Sequence, residues 1–242
     1  MFDRVQYKAQ AKAQLKNNWK TPILITLTGA AVLLVWDALF FANSFTRQIM
    51  QKEIFDFLPI GYSQFIFFTL GLSVLGFCFL AALKMAYARY FVVFTVRREQ
   101  ATFSAFLEGF SLWGKGIGAT LWSILWVILW SFLFYIPGII KMIAYSQIFY
   151  ILAEYPKLSV RKAMRISIAM TKGYKGDLFV MYLSFFGWAL LATLSLYIGY
   201  LWLIPYMEST QLYAYRYLKE TALKTGVLKP EDFGVVPTYT QG

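Results

Sequence analysis

Histidine is absent from this chain and cysteine occurs once, as Cys78. That removes Ser-His-Asp and Cys-His catalytic pairs, His-ligated zinc and four-thiolate metal sites. No catalytic residue, metal site or cofactor is therefore expected. Cys78 lies in an apolar block and reads as a small apolar side chain, since one cysteine cannot form an intramolecular disulfide. Gly109, Gly114 and Lys115 have the spacing of a phosphate loop. Gly116, however, stands where the magnesium-holding Ser or Thr belongs, and no strand precedes it, so the segment reads as a basic turn at a membrane surface. The remaining residues with chemistry are polar side chains inside apolar runs. Lys141 and Gln147 lie in one run, Glu208 and Gln211 in another, with Glu154, Ser209 and Thr210 nearby. Each is costly in hydrocarbon and needs a partner. Lys141, Gln147, Glu208 and Gln211 form a candidate intramembrane polar site. The same residues also fit plain interhelical hydrogen bonding, with Glu208 paired to a cation such as Arg89.

The elements that must position these residues follow from composition. The chain is 59% hydrophobic and only 14% charged, more apolar and less charged than soluble domains. The apolar residues come in continuous runs, as from Leu121 to Ile136. Such runs form membrane-crossing helices, because barrel strands would alternate apolar and polar over roughly ten residues. The expected fold is an all-α polytopic transmembrane bundle of about six spans, near residues 22–41, 64–83, 117–136, 139–153, 178–196 and 201–217. Pro137-Gly138 is expected to turn the chain between the third and fourth spans, and Gly199 to be the pivot between the fifth and sixth. Pro205 is expected to interrupt the sixth just before Glu208. Residues 1–20 read as a basic cytoplasmic helix, 21–218 as the membrane domain and 219–242 as a flexible cytoplasmic tail.

Charge placement gives an orientation. Of 23 Lys and Arg residues, 20 fall in the first twenty residues, in 84–115, in 157–175 or after 215. The positive-inside rule then places both termini in the cytoplasm. The formal charge of +11 flanks apolar blocks and forms no separate basic domain, so anionic lipid is the expected partner and nucleic acid is not. Ser159 can cap a short amphipathic helix with Arg161, Lys162, Arg165 and Lys172 on one side and Val160, Ala163, Met164 and Ser167 on the other. These four cations are candidate headgroup contacts on an interfacial helix; an ordinary loop helix packed on the bundle fits the same pattern. A second short helix is expected after Thr102, with Phe103, Phe106, Leu107 and Phe110 along one stripe.

A weak repeat runs through the chain. Lys84-Met85-Ala86-Tyr87 resembles Lys141-Met142-Ile143-Ala144-Tyr145, and Trp19-Lys20, Trp113-Gly114-Lys115 and Tyr174-Lys175-Gly176 precede apolar runs in the same way. The implied unit is an amphipathic helix followed by a helical hairpin, used three times.

Several runs also carry a family likeness. They are Ile136-Pro137-Gly138-Ile139-Ile140-Lys141, Tyr145-Ser146, Tyr150 to Glu154 with Pro156, Met170 to Lys175, Leu178-Phe179, Leu183-Ser184-Phe185, Gly187-Trp188, Ile198-Gly199, Leu201-Trp202 and Pro205-Tyr206 with Thr210. In these the chain resembles the bacterial integral membrane family catalogued as domain of unknown function 975. The resemblance is close over about 136–218 and looser but collinear over 15–109. Phe186 stands for the commoner isoleucine, and Thr171 is also atypical. The resemblance implies a bacterial cytoplasmic membrane and transfers topology, but no functional residue.

Two readings of function follow. In one, a non-enzymatic membrane protein contacts lipid or a protein partner, a second copy included, through its cytoplasmic amphipathic helices. In the other, a small transporter or channel uses the polar site between the fourth and sixth spans. An open polar cavity around Glu208 would favour the second, and a dry core with a salt-bridged Glu208 the first.

Overall fold

The computed structural model describes residues 2–53, 59–97 and 102–234. The described residues are helical and contain no strand, which is the expected all-α bundle. The helices are α1 (Arg4–Leu15), α2 (Lys20–Glu53), α3 (Pro59–Phe91), α4 (Phe103–Phe110), α5 (Trp113–Leu133), α6 (Tyr135–Tyr145), α7 (Ile148–Glu154), α8 (Val160–Thr171), α9 (Lys175–Leu183), α10 (Phe186–Leu194) and α11 (Tyr200–Lys224). A π-helical segment, Val92–Arg97, extends α3.

Five segments are long and apolar enough to cross a bilayer: Lys20–Phe41, Thr69–Val96, Trp113–Phe132, Ile136–Glu154 and Lys175–Leu194. α11 is a sixth long helix, and its middle carries Glu208, Ser209, Thr210 and Gln211. It tolerates them because it sits inside the bundle: Ser209, Thr210, Leu212, Ala214 and Tyr215 have no exposed surface. Contacts order the passes. The Phe2 and Tyr7 rings lie 5.8 and 5.9 Å from the Tyr217 ring, so α1 and the late part of α11 share one end of the bundle. Lys115, at the start of α5, donates to the Pro156 and Leu158 carbonyls, and Lys219 meets Glu154. The segments before α5, after α7 and late in α11 therefore lie at that same end. Six alternating passes join these points.

The element order repeats three times: a short helix (α1, α4, α8), an outer arm (α2, α5, α9–α10) and an inner arm (α3, α6–α7, α11). The outer arms bury only 17%, 11% and 22% of their apolar windows, against 61% for α6–α7. Large side chains such as Phe132, Trp188 and Leu194 stand exposed on them, a surface that suits acyl chains and not water. Glycines set the closest approaches. A Cβ on Gly109 of α4 would strike the Ala86 backbone of α3, and one on Gly116 of α5 would lie 2.6 Å from the Ala81 carbonyl oxygen. Small residues at helix contacts are the usual means of packing in lipid. They also account for Gly109 and Gly116 of the apparent phosphate loop, though not for Gly114, which meets nothing within 4 Å; Lys115 is committed to backbone carbonyls.

Several expectations are corrected. Residues 43–53, which lie beyond the first span expected at 22–41, continue α2 as helix. The turn between α5 and α6 is made by Phe134, in extended conformation. Pro137 lies in the first turn of α6, where its missing N–H costs nothing. Gly199 has φ −59; Leu196 and Tyr197, with φ of 53 and 66, turn the chain instead, and Gly199 allows contact with Ala192. Pro205 lies inside a continuous α11 and deprives only the Leu201 carbonyl of its helical donor. Residues 219–234 are packed and do not form a free tail. α11 runs to Lys224, and the buried Phe233 ring lies 5.0 Å from that of Tyr155. Residues 235–242 lie outside the described residues.

Candidate functional site

The three inner arms meet around a polar cluster. Lys84 and Tyr87 come from α3, Tyr150 from α7, and Glu208 and Gln211 from α11. On α11, Glu208 and Gln211 are three residues apart and so share one face. Tyr150 lies 2.8 Å from Glu208 Oε2 and 2.9 Å from Gln211 Oε1 through its hydroxyl. That hydroxyl has one proton. Donated to Glu208, it leaves the oxygen free to accept from the Gln211 amide in its turned-over orientation, so one chain of hydrogen bonds satisfies all three groups.

The cluster is not a dry core. Lys84, Tyr150, Glu208 and Gln211 line a cavity of about 650 Å³ that also touches Ser123 of α5 and Ser146. A second cavity of about 290 Å³, between α2, α3 and α11, is lined by Lys84, Tyr87 and Glu208 from the other side. These three residues therefore form a septum between two spaces. Lys84 is exposed although it belongs to a bundle-spanning helix, because both cavities open onto it. Its ammonium sits 4.1 Å from the Phe149 ring centroid, within cation–π range. It forms no ion pair with Glu208: the salt bridges among the described residues are Arg89–Glu108, Arg216–Glu220 and Lys219–Glu154. Tyr87 turns away and donates to the Ile25 carbonyl at 3.0 Å.

Of the four expected site residues, the structure brings together Glu208 and Gln211. Lys141 lies apart, its ammonium 4.5 Å from the Trp130 ring. Gln147 is 1% exposed, donates to Ser146 Oγ at 2.7 Å and leaves its own carbonyl oxygen without a partner. Arg89 does not pair with Glu208; it donates to the Ala153 carbonyl at 2.9 Å. Lys84 and Tyr150 complete the site. Lys84 directly follows the apolar run expected at 64–83, and the positive-inside pattern placed it on the cytoplasmic side. Among the described residues no group of His, Cys, Asp and Glu is placed to hold a metal.

Residues 117–222 match the family profile described as Protein of unknown function (DUF975). That segment is similar to the DUF975 family. It runs from α5 into α11, so the DUF975 segment supplies Ser123, Tyr150, Glu208 and Gln211, while Lys84 comes from the hairpin before it. No curated protein and no solved structure matches the chain.

Two further clusters lie at the end shared by α1 and late α11. Glu154 accepts from Lys219 and from the Tyr215 hydroxyl, both at 2.5 Å, with its side chain 11% exposed. It is largely shielded from solvent and paired. Burial pushes the Tyr155 phenol above its ordinary value, reinforced by Glu154 and opposed by Lys219. Tyr155 therefore stays neutral near pH 7 and accepts from Lys219 at 3.3 Å. On α8, Ser159 caps the helix as expected, accepting from the Lys162 N–H. Its apolar face, with Ala163, Met164, Ile166, Ser167 and Met170, is buried. α8 is therefore a helix packed on the bundle, with no free apolar face to insert into lipid. Arg161, Arg165 and Lys172 remain exposed, and Lys162 donates to the Glu231 carbonyl.

Proposed function

We propose that this non-enzymatic membrane protein binds a polar group inside the bilayer and carries it across or between leaflets, with both termini in the cytoplasm. The observation that carries this reading is Lys84 and Glu208 facing one cavity without closing on each other. Charges inside membrane segments are expensive and mark solute or ion pathways, and a cavity of this volume falls in the range of ligand sites. Tyr150, itself held by Gln211, fixes the carboxylate, and Lys84 is left to meet a solute.

Reconstituted vesicles test the reading. Wild-type protein is expected to accumulate at least one solute from a mixed polar extract, read by mass spectrometry. Glu208→Gln, which keeps size and hydrogen bonding while removing charge, is expected to abolish that accumulation. Equal uptake by both would remove Glu208 from the pathway. The orientation is supported by basic segments gathered at one end. In a Cys78→Ala background, single cysteines at Lys12 and Lys224 should resist an impermeant maleimide in intact cells and react after permeabilisation. Labelling in intact cells would invert the topology. The exposed Arg161, Arg165 and Lys172 support a second, compatible reading, in which α8 meets anionic headgroups by charge alone.

A further inference from the structure

The larger cavity has two unlike ends. Its floor is the polar cluster. Its mouth is formed by Ile124 and Ile128 of α5, Met142 of α6, and Phe179 and Leu183 of α9. These five are 41% to 57% exposed. They lie within the apolar segments Trp113–Phe132, Ile136–Glu154 and Lys175–Leu194, so the opening faces acyl chains instead of water.

The floor is electrically unfinished. Among the described residues the Lys84 ammonium has the Phe149 ring beside it and no hydrogen-bond acceptor. Glu208 faces the same space. Two opposite charges held apart in a low-dielectric site each carry a desolvation cost that a ligand bearing both charges would offset. Tyr87, Tyr145, Phe149, Tyr150 and Tyr182 line the same cavity, and aromatic rings favour an alkylammonium. The buried Ser123 hydroxyl in that wall has no partner of its own.

We propose that the cavity takes up a zwitterionic single-chain amphiphile sideways from the bilayer. Its anionic group meets Lys84, its ammonium meets Glu208 and the aromatic wall, and its chain leaves through the mouth between α5 and α9. This deepens the reading of Lys84 and Glu208 as a ligand site and rests on it.

Full-length protein in lipid nanodiscs, titrated with hexadecylphosphocholine and read by native mass spectrometry and thermal shift, tests the proposal. Hexadecanoate, hexadecyltrimethylammonium and hexadecanol carry the same chain with other heads, and phosphocholine is the head alone. Hexadecylphosphocholine is expected to bind about tenfold or more tighter than each of these. Ile128→Trp, which plugs the mouth, should weaken it about tenfold, whereas Ile128→Ala should not. Lys84→Gln should shift preference towards the cationic amphiphile and Glu208→Gln towards the anionic one, an exchange of selectivity that misfolding cannot produce. Equal binding of hexadecanol would overturn the proposal. So would tight binding of phosphocholine that ignores Ile128→Trp, although that result would leave the polar ligand site standing. Selectivity unchanged in both charge variants would remove the site and the proposal together.

Discussion

The Glu154–Lys219 pair offers the sharpest test of how the inner arms are held. Glu154 ends α7 and Lys219 lies late in α11, with side chains 11% and 14% exposed. The carboxylate also holds the Tyr215 hydroxyl at 2.5 Å. Glu154→Leu strands a buried ammonium and a buried phenol. Removing one member of a buried pair costs about 3–5 kcal/mol, and the residual exposure places this pair near the lower figure, about 3 kcal/mol. Lys219→Met keeps the stem and leaves the carboxylate on Tyr215, for a loss of about 2 kcal/mol. In the double variant no charge is stranded, so the losses should fall short of additivity by about 1–3 kcal/mol. For a chain of this size each kcal/mol moves the melting point by about 2–4 °C, so Glu154→Leu should lower it by about 6–12 °C. Thermal unfolding in mild detergent, followed by fluorescence-detected size exclusion, reads all four proteins. Losses that add within about 0.5 kcal/mol would show that the two groups do not act as a pair.

Other perturbations follow from single contacts. Gly109→Leu should cost about 1–3 kcal/mol by forcing α4 off the Ala86 backbone, seen as a lower melting point. Gln14→Leu removes the amide that donates to the Phe94 carbonyl at 2.5 Å; it should cost about 1–3 kcal/mol and speed amide exchange across Val92–Arg97. Lys115→Met should release the Pro156 and Leu158 carbonyls, lower stability by about 1.5–3 kcal/mol and raise exchange in residues 156–160. Replacing Arg161, Arg165 and Lys172 together by Gln should leave the melting point nearly unchanged and weaken retention of anionic lipid in native mass spectra by about 1 kcal/mol per charge. A melting point that fell with them would mean that α8 is held by those cations and not by its buried face.

The fold was legible where one physical demand dominated. Continuous apolar runs could only be helices in lipid, and the short helices around Phe106 and Met164 followed from their 3.6-residue stripes. The site was legible in part. Glu208 and Gln211 sit three apart on one unbroken helix, so their shared face followed from spacing alone. Lys141 lies in α6 and Gln147 in the interruption at Ser146–Gln147 that separates α6 from α7, and across a break the facing of side chains no longer follows from counting. Lys84 was hidden for another reason: a cation near the end of an apolar run looks the same whether it reaches the membrane surface or a cavity. The apolar face of α8 carried the same ambiguity, because an amphipathic stripe does not say whether lipid or protein covers it.

The three hairpins all start from the same end of the bundle, each led by its short helix. Successive units therefore run in the same direction across the bundle, with none turned upside down relative to the next. Transporters that rock two oppositely oriented halves rely on a pseudo-twofold axis in the membrane plane, which this succession of hairpins does not provide. Exposure of the Lys84–Glu208 septum to first one cavity and then the other would have to come from sideways shifts among α3, α7 and α11, with movement of one inner arm felt by both spaces at once.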